Sequence, residues 1–361
     1  MPVYNKEKFL RRSLDSIVKL SRFDEFEVII VDDGSTDNSA AIIKEYCDKY
    51  DNMQLIAFDK GSGSPSKPRN TGIAKSTTDY LIFMDPDDEI INDGYSVLLS
   101  AMEKYDSDII IATRIGVTES GVKTFTDFID EDFTYVNSNE YSYKKDLLDR
   151  RPYILKTIYK KSIIVDNNIV FNEKIRTSED RCFDVACMAY ATKMTKINDI
   201  VYKYTAEAEG SITTSVPMKI YEELYDVLDS IYKSYTLAFD EETTMHYIVL
   251  LLNYYFNRIS FLKDIEDVNT ACDLFCGAVE KFGCDRFSVL TDPEEKEFIE
   301  AIRNRDLQER LCISYIKRIK TIEKRSRKKI EKQEKEIAKL KKLHNRKLVK
   351  AGIFLAKKIG K

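Results

Sequence analysis

The sequence predicts an α/β protein: a mostly parallel sheet flanked by helices, followed by a helical region and a basic helical tail. Two observations support this prediction. In the first part of the chain, short apolar runs such as "FEVIIVDD" alternate with amphipathic segments such as "NSAAIIKEYCDKY", and a continuous apolar run of strand length is typical of a strand buried on both faces. From Pro217 to about Arg305 the pattern is helical and rich in Tyr, Phe and Leu.

The order of the elements favours parallel strands connected by helices. Strands are predicted at "FEVIIVDD", "MQLIAFD", "DYLIFMD" and "SDIIIATR", with helices at "NSAAIIKEYCDKY", "PRNTGIAKS" and "GYSVLLSAMEKY" between them. This alternation is typical of a parallel sheet with helices on both faces. An earlier helix is also predicted, with Asn5 as a candidate N-cap. Its apolar face is formed by Phe9, Leu10, Leu14, Ile17 and Val18.

The opening "MPVYN" is typical of a loop that follows a strand. In doubly wound sheets the first strand commonly lies in the middle, and a missing central strand leaves backbone groups unpaired. We therefore expect a Val/Ile-rich strand of about five to eight residues upstream, with Met1 as an internal methionine. The alternative is a shorter protein in which the gap is filled in another way.

Three regions are predicted: an α/β domain over 1–215, a helical domain over 216–309 and a basic tail over 310–361. The tail carries 20 Lys/Arg against 4 Asp/Glu, which leaves 37 against 57 in the rest of the chain. An acidic body therefore carries a basic tail. The tail has three interpretations: a solvated helix, a self-associating helix through Ile330, Ile337 and Leu340, or a segment "LVKAGIFLAKKIGK" lying on an anionic membrane surface.

Composition narrows the class of protein. The chain is 43% hydrophobic and 33% charged, as in globular proteins, and its longest apolar run, "YIVLLLNYYF", is ten residues, too short for a membrane span. The seven cysteines form no C-x-x-C pair and are interpreted as reduced thiols. With no signal peptide pattern before the first helix, we expect a cytoplasmic protein that the tail could attach peripherally to the inner face of the cell membrane. No nucleic-acid partner is expected.

The stretch "FMDPDDE" places Asp85, Asp87 and Asp88 just after a predicted strand. Ligands bind at this end of the strands in open α/β sheets, and two carboxylates at such a turn suit Mg²⁺ or Mn²⁺ with room left for a diphosphate. The alternative is an Asp-Pro turn followed by a helix cap.

Two other loops are expected at the same edge of the predicted sheet. In "VDDGSTDNS", Asp32 and Asp33 could accept hydrogen bonds from a base or ribose; the alternative is a turn in which Ser35 or Thr36 caps the next helix. In "KGSGSPSKPRNTG", two glycines precede basic residues at a helix start, a plausible phosphate-facing arrangement. This stretch matches neither the P-loop nor the dinucleotide fingerprint.

The stretch "RTSEDRCF" begins a predicted helix. Thr177 and Asp180 have the spacing of a capping box, with Asp in place of Glu, which would account for Asp180 structurally. The functional alternative makes Asp180 a general base at the helix start.

Taken together and in this order, "PVYN", "EVIIVDDGSTD", "SKPRNTGI", "DYLIFMDPDDEI" and "SED" resemble a family 2 glycosyltransferase with the GT-A fold. "GSGSPSKPRN" with "SED" is most similar to enzymes that decorate wall teichoic acid and related surface polymers. The resemblance implies that the uridine is held by Pro2, Tyr4 and Asp33. It also implies that Arg69 lies near the nucleotide and that Glu179 holds the donor sugar. Finally, it implies that Asp85 and Asp87 form the DxD motif, that Asp87 ligates Mn²⁺ or Mg²⁺, and that Asp180 is the catalytic base.

The function implied is inverting transfer of a hexosyl or N-acetylhexosaminyl group from a UDP-sugar to a glycan, teichoic-acid-like or lipid-linked acceptor, with a homo-oligomer left open. The alternatives are a non-catalytic nucleotide-sugar-binding or scaffold protein with the same fold and a nucleotidyltransferase, for which the Gly-rich loop is absent. The chain departs from the family at "YTAEAEGSITTS", where a basic residue and a His are expected. Ser211 or Thr213 could replace those contacts.

Overall fold

The computed structural model describes residues 1–118, 121–125, 133–136, 154–205, 218–262, 264–307 and 310–311. The apolar alternation of the sequence becomes two sheets with helices packed against them. The fold class predicted above is confirmed. Most of the tail lies outside the described residues, and so do Ser211 and Thr213.

The first sheet is wholly parallel, with strand order β1-β2-β3. Its strands are β1 (Pro2–Val3), β2 (Val28–Asp32) and β3 (Met53–Ala57). The associated helices are α1 (Glu7–Ile17), α2 (Ser39–Cys47) and α3 (Ser66–Lys75). Ile29, Ile30 and Val31 of β2 are buried, which is why a continuous apolar run predicted this strand correctly.

The second sheet has the order β4-β9-β6-β10-β5, with β7 beside β6 and β8 beside β10. Its strands are β4 (Tyr80–Ile82), β5 (Glu89–Ile90), β6 (Ile109–Thr118), β7 (Gly121–Phe125), β8 (Phe133–Val136), β9 (Thr157–Lys160) and β10 (Lys193–Thr205). The helices are α4 (Gly94–Tyr105), α5 (Lys161–Asp166) and α6 (Glu179–Tyr190). Strands β6 and β10 pair in parallel, whereas β9 is antiparallel to both of its neighbours. These antiparallel pairs are a detail that the sequence pattern did not predict.

The interpretation of "MPVYN" as a loop is wrong at its first residues. Pro2 pairs with Val31 and Val3 with Asp32 in parallel register, and the Asp33 N–H donates to the Val3 carbonyl over 2.7 Å. The pairing satisfies backbone groups that a loop would leave to water. Strand β1 is an edge of the first sheet and β4 an edge of the second, and in the described ranges no strand joins the two. The upstream strand stays a prediction.

The N-cap predicted at Asn5 and the alternative in which Ser35 or Thr36 caps the next helix are also wrong, because other hydrogen-bond partners take these side chains. Asn5 has φ 50°, and its Oδ1 accepts from the Thr36 N–H over 2.8 Å, so α1 begins two residues later. Ser35 Oγ donates to Asp32 Oδ1 over 2.5 Å instead of capping α2.

The helical region contains α7 (Lys219–Glu222), α8 (Leu224–Ala238), α9 (Glu241–Ile259), α10 (Ile265–Phe282) and α11 (Pro293–Arg303). Asp240, Asp264 and Asp292 each accept a backbone N–H at the helix start that follows them, as the predicted restart at Pro293 requires. Helix α8 packs on α6, and the buried apolar side chains of both regions form one core. The helical region therefore supports the site described next; the domain boundaries stay a prediction.

Two further predictions, on membrane spans and on cysteines, can be compared with the part of the chain that the structure describes. None of its helices has the length and apolar character needed to cross a membrane. Its cysteines are free thiols, as expected.

Candidate active site

The loop between β4 and β5 carries the three acidic residues, and α1 holds it in place. Ser13 Oγ donates to the Asp85 carbonyl over 3.4 Å, and an Arg12 guanidinium nitrogen donates to the Asp87 carbonyl over 2.7 Å. The loop runs directly into β5, so the alternative in which these residues lead into a helix cap is wrong. The backbone of the loop is fixed by α1, and its carboxylates are left for other partners.

Arg69 on α3 connects this loop to the start of α6. Its Nη2 donates to Asp85 Oδ1 and its Nη1 to Glu179 Oε1, both over 2.9 Å. The guanidinium is buried, and Phe171 lies against it with the ring centroid 5.3 Å away. Burial alone would lower the pKa of Arg69, but the charges of Asp85 and Glu179 outweigh it and raise that pKa. Two of the motifs found in the sequence therefore meet at one buried cation.

Asp33 organises the glycine-rich loop that precedes α3. Its two carboxylate oxygens accept from the Ser62 N–H and the Ser62 hydroxyl, each over 2.9 Å. Gly34 has φ +72°, and a Cβ there would lie 2.7 Å from the Gly61 nitrogen. Only glycine permits both this backbone conformation and this approach of the two loops.

Tyr4 lies beside the same loop: a Cβ at Gly61 would lie 3.4 Å from its ring carbon Cε2. Its side chain is 53% exposed although it is a large aromatic group next to a sheet edge. Pro2, which is buried in β1, lies two residues before Tyr4. The exposed ring of Tyr4, beside the loop that Asp33 holds, offers a stacking surface for a planar ligand.

The first turn of α6 presents Glu179 and Asp180. The predicted capping box is absent: Ser178, with φ 75°, precedes the helix and makes no side-chain cap. Asp180 Oδ1 accepts from the neighbouring Arg181 N–H over 2.8 Å, and no other described residue bonds to its carboxylate. One carboxylate oxygen of Asp180 is therefore available at a partly exposed position.

Burial governs the acidity of this pair. It raises the pKa of Glu179 to about 7, with the neighbouring charge of Asp180 adding to the shift and Arg69 opposing it. Burial likewise raises the pKa of Asp180, again opposed by Arg69. A carboxylate with a raised pKa is a stronger base than one in water, which suits a general base.

The sequence interpretation missed Glu223, which connects the helical region to the site. Its buried carboxylate accepts from the Arg176 N–H over 2.7 Å and from the Thr177 N–H over 3.2 Å. A second link is the hydrogen bond of 2.7 Å between the hydroxyls of Ser178 and Tyr255. No local motif marks Glu223, because it lies between α7 and α8 and acts on a loop 46 residues away.

The acidic residues would fit a cation only if a bound phosphate group supplied further ligands. The described residues contain no cluster of three or more His, Cys, Asp or Glu side chains placed for a metal ion. Asp87 Oδ2 contacts Lys6 Nζ over 2.7 Å and Asp85 contacts Arg69, and the described residues give the other oxygen of each carboxylate no hydrogen bond. Mg²⁺ is commonly held by one or two carboxylates plus substrate phosphates. Asp87 could hold such a cation.

Comparison with known proteins agrees with the motifs. Residues 1–161 match the family described as Glycosyl transferase family 2, so this part of the chain is a family 2 glycosyltransferase domain. The resemblance drawn from the sequence is thereby confirmed.

The relatives include enzymes named for poly(ribitol-phosphate) substrates. The chain is 29% identical over 233 residues to the poly(ribitol-phosphate) beta-N-acetylglucosaminyltransferase TarS of Staphylococcus aureus. The aligned residues make up 63% of this chain and 38% of that protein. It is 28% identical over 262 residues to the poly(ribitol-phosphate) beta-glucosyltransferase of Bacillus spizizenii. Here the aligned residues make up 71% of this chain and 39% of that protein. The chain therefore spans about two fifths of the length of these curated relatives.

A solved structure shows the same fold. The crystal structure of S. aureus TarS 1-349 in complex with UDP-GlcNAc superimposes with a TM-score of 0.70 at 22% identity, covering 87% of each chain. The similarity extends beyond the family 2 domain into the helical region, since the domain match ends at residue 161.

Proposed function

We propose that the protein is an inverting glycosyltransferase that moves a hexosyl or N-acetylhexosaminyl group from a UDP-sugar to a hydroxyl of a surface polymer or lipid-linked glycan. The observation that carries this proposal is Arg69, which joins the acidic loop at Asp85 to the "SED" helix start at Glu179. These two bonds support a donor site that lies next to the proposed base, because Asp180 directly follows Glu179. The names of the relatives support the donor and acceptor classes.

The donor-binding part of the proposal follows the edge of the first sheet. Tyr4 offers an exposed ring for the uracil, and the loop held by Asp33 lies beside it. Pro2 fixes the backbone from which Tyr4 projects. The sugar diphosphate is proposed to lie near Arg69 and Glu179, which are bonded to each other.

The transfer itself needs a base on one side of the sugar and charge neutralisation on the other. The free oxygen of Asp180 removes the proton of the acceptor hydroxyl as that oxygen attacks the anomeric carbon from the face opposite the diphosphate. One displacement of this kind inverts the anomeric centre. Asp87 would hold Mn²⁺ or Mg²⁺, and a cation bound there would supply neutralisation of the charge on the departing diphosphate. Arg69 fixes Glu179 next to the base.

The acceptor is proposed to be a teichoic-acid-like or lipid-linked polymer, and the tail is proposed to bring the enzyme to it. Lysines interleaved with apolar residues in "LVKAGIFLAKKIGK" suit an anionic membrane surface. Flotation with anionic vesicles at low salt tests this: failure of the full chain to float, or equal flotation after deletion of 346–361, contradicts the attachment.

Donor binding is tested by thermal shift with a panel of UDP-sugars and Mn²⁺, with GDP-mannose and UDP as comparison ligands. One UDP-sugar is expected to raise the Tm more than the others, and Tyr4→Ala is expected to weaken that shift because the uracil loses its stacking surface. Tyr190→Ala is a matched control, since this tyrosine is also exposed but lies at the far end of α6. Equal shifts in both variants would contradict the placement of the uracil.

A further inference from the structure

Lys6 occupies a fixed position directly before α1. Its N–H donates to Ser39 Oγ over 2.9 Å, and its carbonyl accepts from the N–H groups of Phe9 and Leu10 over 3.0 Å. Its ammonium reaches Asp87 Oδ2 over 2.7 Å, and the side chains are 19% and 18% exposed. The lysine is therefore anchored at its backbone and placed on the carboxylate by a flexible four-carbon stem.

The two acidic residues of the DxD motif have different counter-ions. Asp85 is bound by Arg69, whose side chain is 4% exposed and also holds Glu179. Asp87 is bound by Lys6, which has no second carboxylate among the described residues. A planar guanidinium with two partners is difficult to move, whereas a single ammonium near solvent exchanges readily. Of the two carboxylates, Asp87 is the one whose cation can be replaced.

We infer that Lys6 occupies the cation position on Asp87 while no donor is bound, and that it yields this position when a nucleoside diphosphate arrives with a divalent cation. This inference rests on the proposed function. An ammonium and a divalent ion repel each other strongly at contact distance, so the metal binds weakly while Lys6 is in place. The negative diphosphate then provides both ligands for the metal and a new partner for the released ammonium. Metal and nucleotide therefore bind as a couple.

The test measures Mn²⁺ binding directly, from the free-Mn²⁺ signal in electron paramagnetic resonance. The wild-type protein is expected to bind Mn²⁺ weakly alone and more tightly with UDP. Lys6→Met is expected to bind Mn²⁺ without UDP at least about 10-fold more tightly than the wild type, because the competing charge is gone. Adding Asp87→Asn to Lys6→Met is expected to abolish that gain.

Lys19→Met is the matched control, since this exposed lysine follows the same helix; it is expected to bind Mn²⁺ as the wild type does. Equal Mn²⁺ affinity of Lys6→Met and wild type without UDP would overturn the inference, while UDP-dependent binding by both would leave the proposed metal-assisted function supported. Mn²⁺ binding by none of the proteins, even with UDP, would overturn both. Unchanged far-UV circular dichroism and Tm in Lys6→Met establish that its fold is retained.

Discussion

Arg69 Nη1 lies 2.9 Å from Glu179 Oε1 although the two residues are 110 positions apart in the chain. The same guanidinium holds Asp85, so one buried cation positions the acidic loop relative to the helix that carries the candidate base. Removing one partner of a buried ion pair leaves an uncompensated charge and is far more costly than losing a surface pair. Arg69 therefore links the stability of the domain to the geometry of its site.

Arg69→Met is expected to reduce the free energy of unfolding by about 3–5 kcal/mol, because the buried carboxylate of Glu179 and the half-buried carboxylate of Asp85 lose their cation. Urea denaturation measures the change. Arg22→Met is the matched control: Arg22 also contacts two carboxylates, Glu25 and Glu103, but on the surface. The control is expected to lose about 1 kcal/mol or less.

Glu179→Gln in the Arg69→Met background is expected to recover part of the lost stability, since one unpaired buried carboxylate is removed. A double variant no more stable than Arg69→Met, or equal losses from Arg69→Met and Arg22→Met, would contradict the role assigned to Arg69.

Asp88 gives the fold a dependence on pH. It is buried, and it accepts from the Tyr202 hydroxyl over 2.8 Å and from the Thr205 N–H over 2.7 Å. Burial, with the charges of Asp85 and Asp87, raises its pKa from 3.8 to about 8. The folded state therefore binds a proton that the unfolded chain releases, and the stabilisation is complete below pH 3.8 and is lost as the pH rises towards 8.

Asp88→Asn, which resembles the protonated acid, is expected to remove this pH dependence. Its free energy of unfolding relative to the wild type should increase between pH 5 and pH 9, as followed by urea denaturation at several pH values. A difference between the two proteins that is constant over this range would show that Asp88 is ionised in the fold.

Glu223 is expected to stabilise the loop before α6 through the two backbone N–H groups that it accepts. Glu223→Ala should reduce the free energy of unfolding by about 1–3 kcal/mol, because those donors lose their partner in a buried place. Glu223→Gln keeps a carbonyl oxygen at that position and should retain most of the stability. Similar losses in both variants would mean that the negative charge, and not the hydrogen bonds, is what the loop requires.

Removal of the cation is expected to stop transfer. EDTA should abolish sugar transfer and Mn²⁺ should restore it, and Asp87→Asn should lower the transfer rate at least about 100-fold, since neutralisation of the departing diphosphate is lost. The measurement is the rate of UDP release at saturating donor. Full activity in EDTA would contradict the proposed role of Asp87.

The sequence correctly predicted strands β2, β3, β4 and β6, whereas the caps that it predicted at Asn5 and Thr177 are wrong. A strand such as β2 is recognisable because a strand that is buried on both faces needs apolar residues at consecutive positions. The side chains of Asn5 and Thr177 have the right chemistry for caps, but both bond to residues far away in the sequence. Asn5 accepts from the Thr36 N–H, and the Thr177 hydroxyl donates to the Glu223 carboxylate. The ion pair between Lys6 and Asp87 spans 81 residues. Such pairs arise from the tertiary arrangement, and no local pattern marks them.

The central claim is that Asp180 is the base of a UDP-sugar transferase, and the most direct test is UDP release by the full chain with a UDP-sugar panel, Mn²⁺ and bacterial surface-polymer extract. The wild type is expected to release UDP from one of the sugars. Asp180→Asn should slow that release by about 10²–10⁴-fold with donor affinity nearly unchanged, because a base acts on the acceptor and not on the donor. Undiminished UDP release by Asp180→Asn, or loss of donor binding in that variant, would contradict the account.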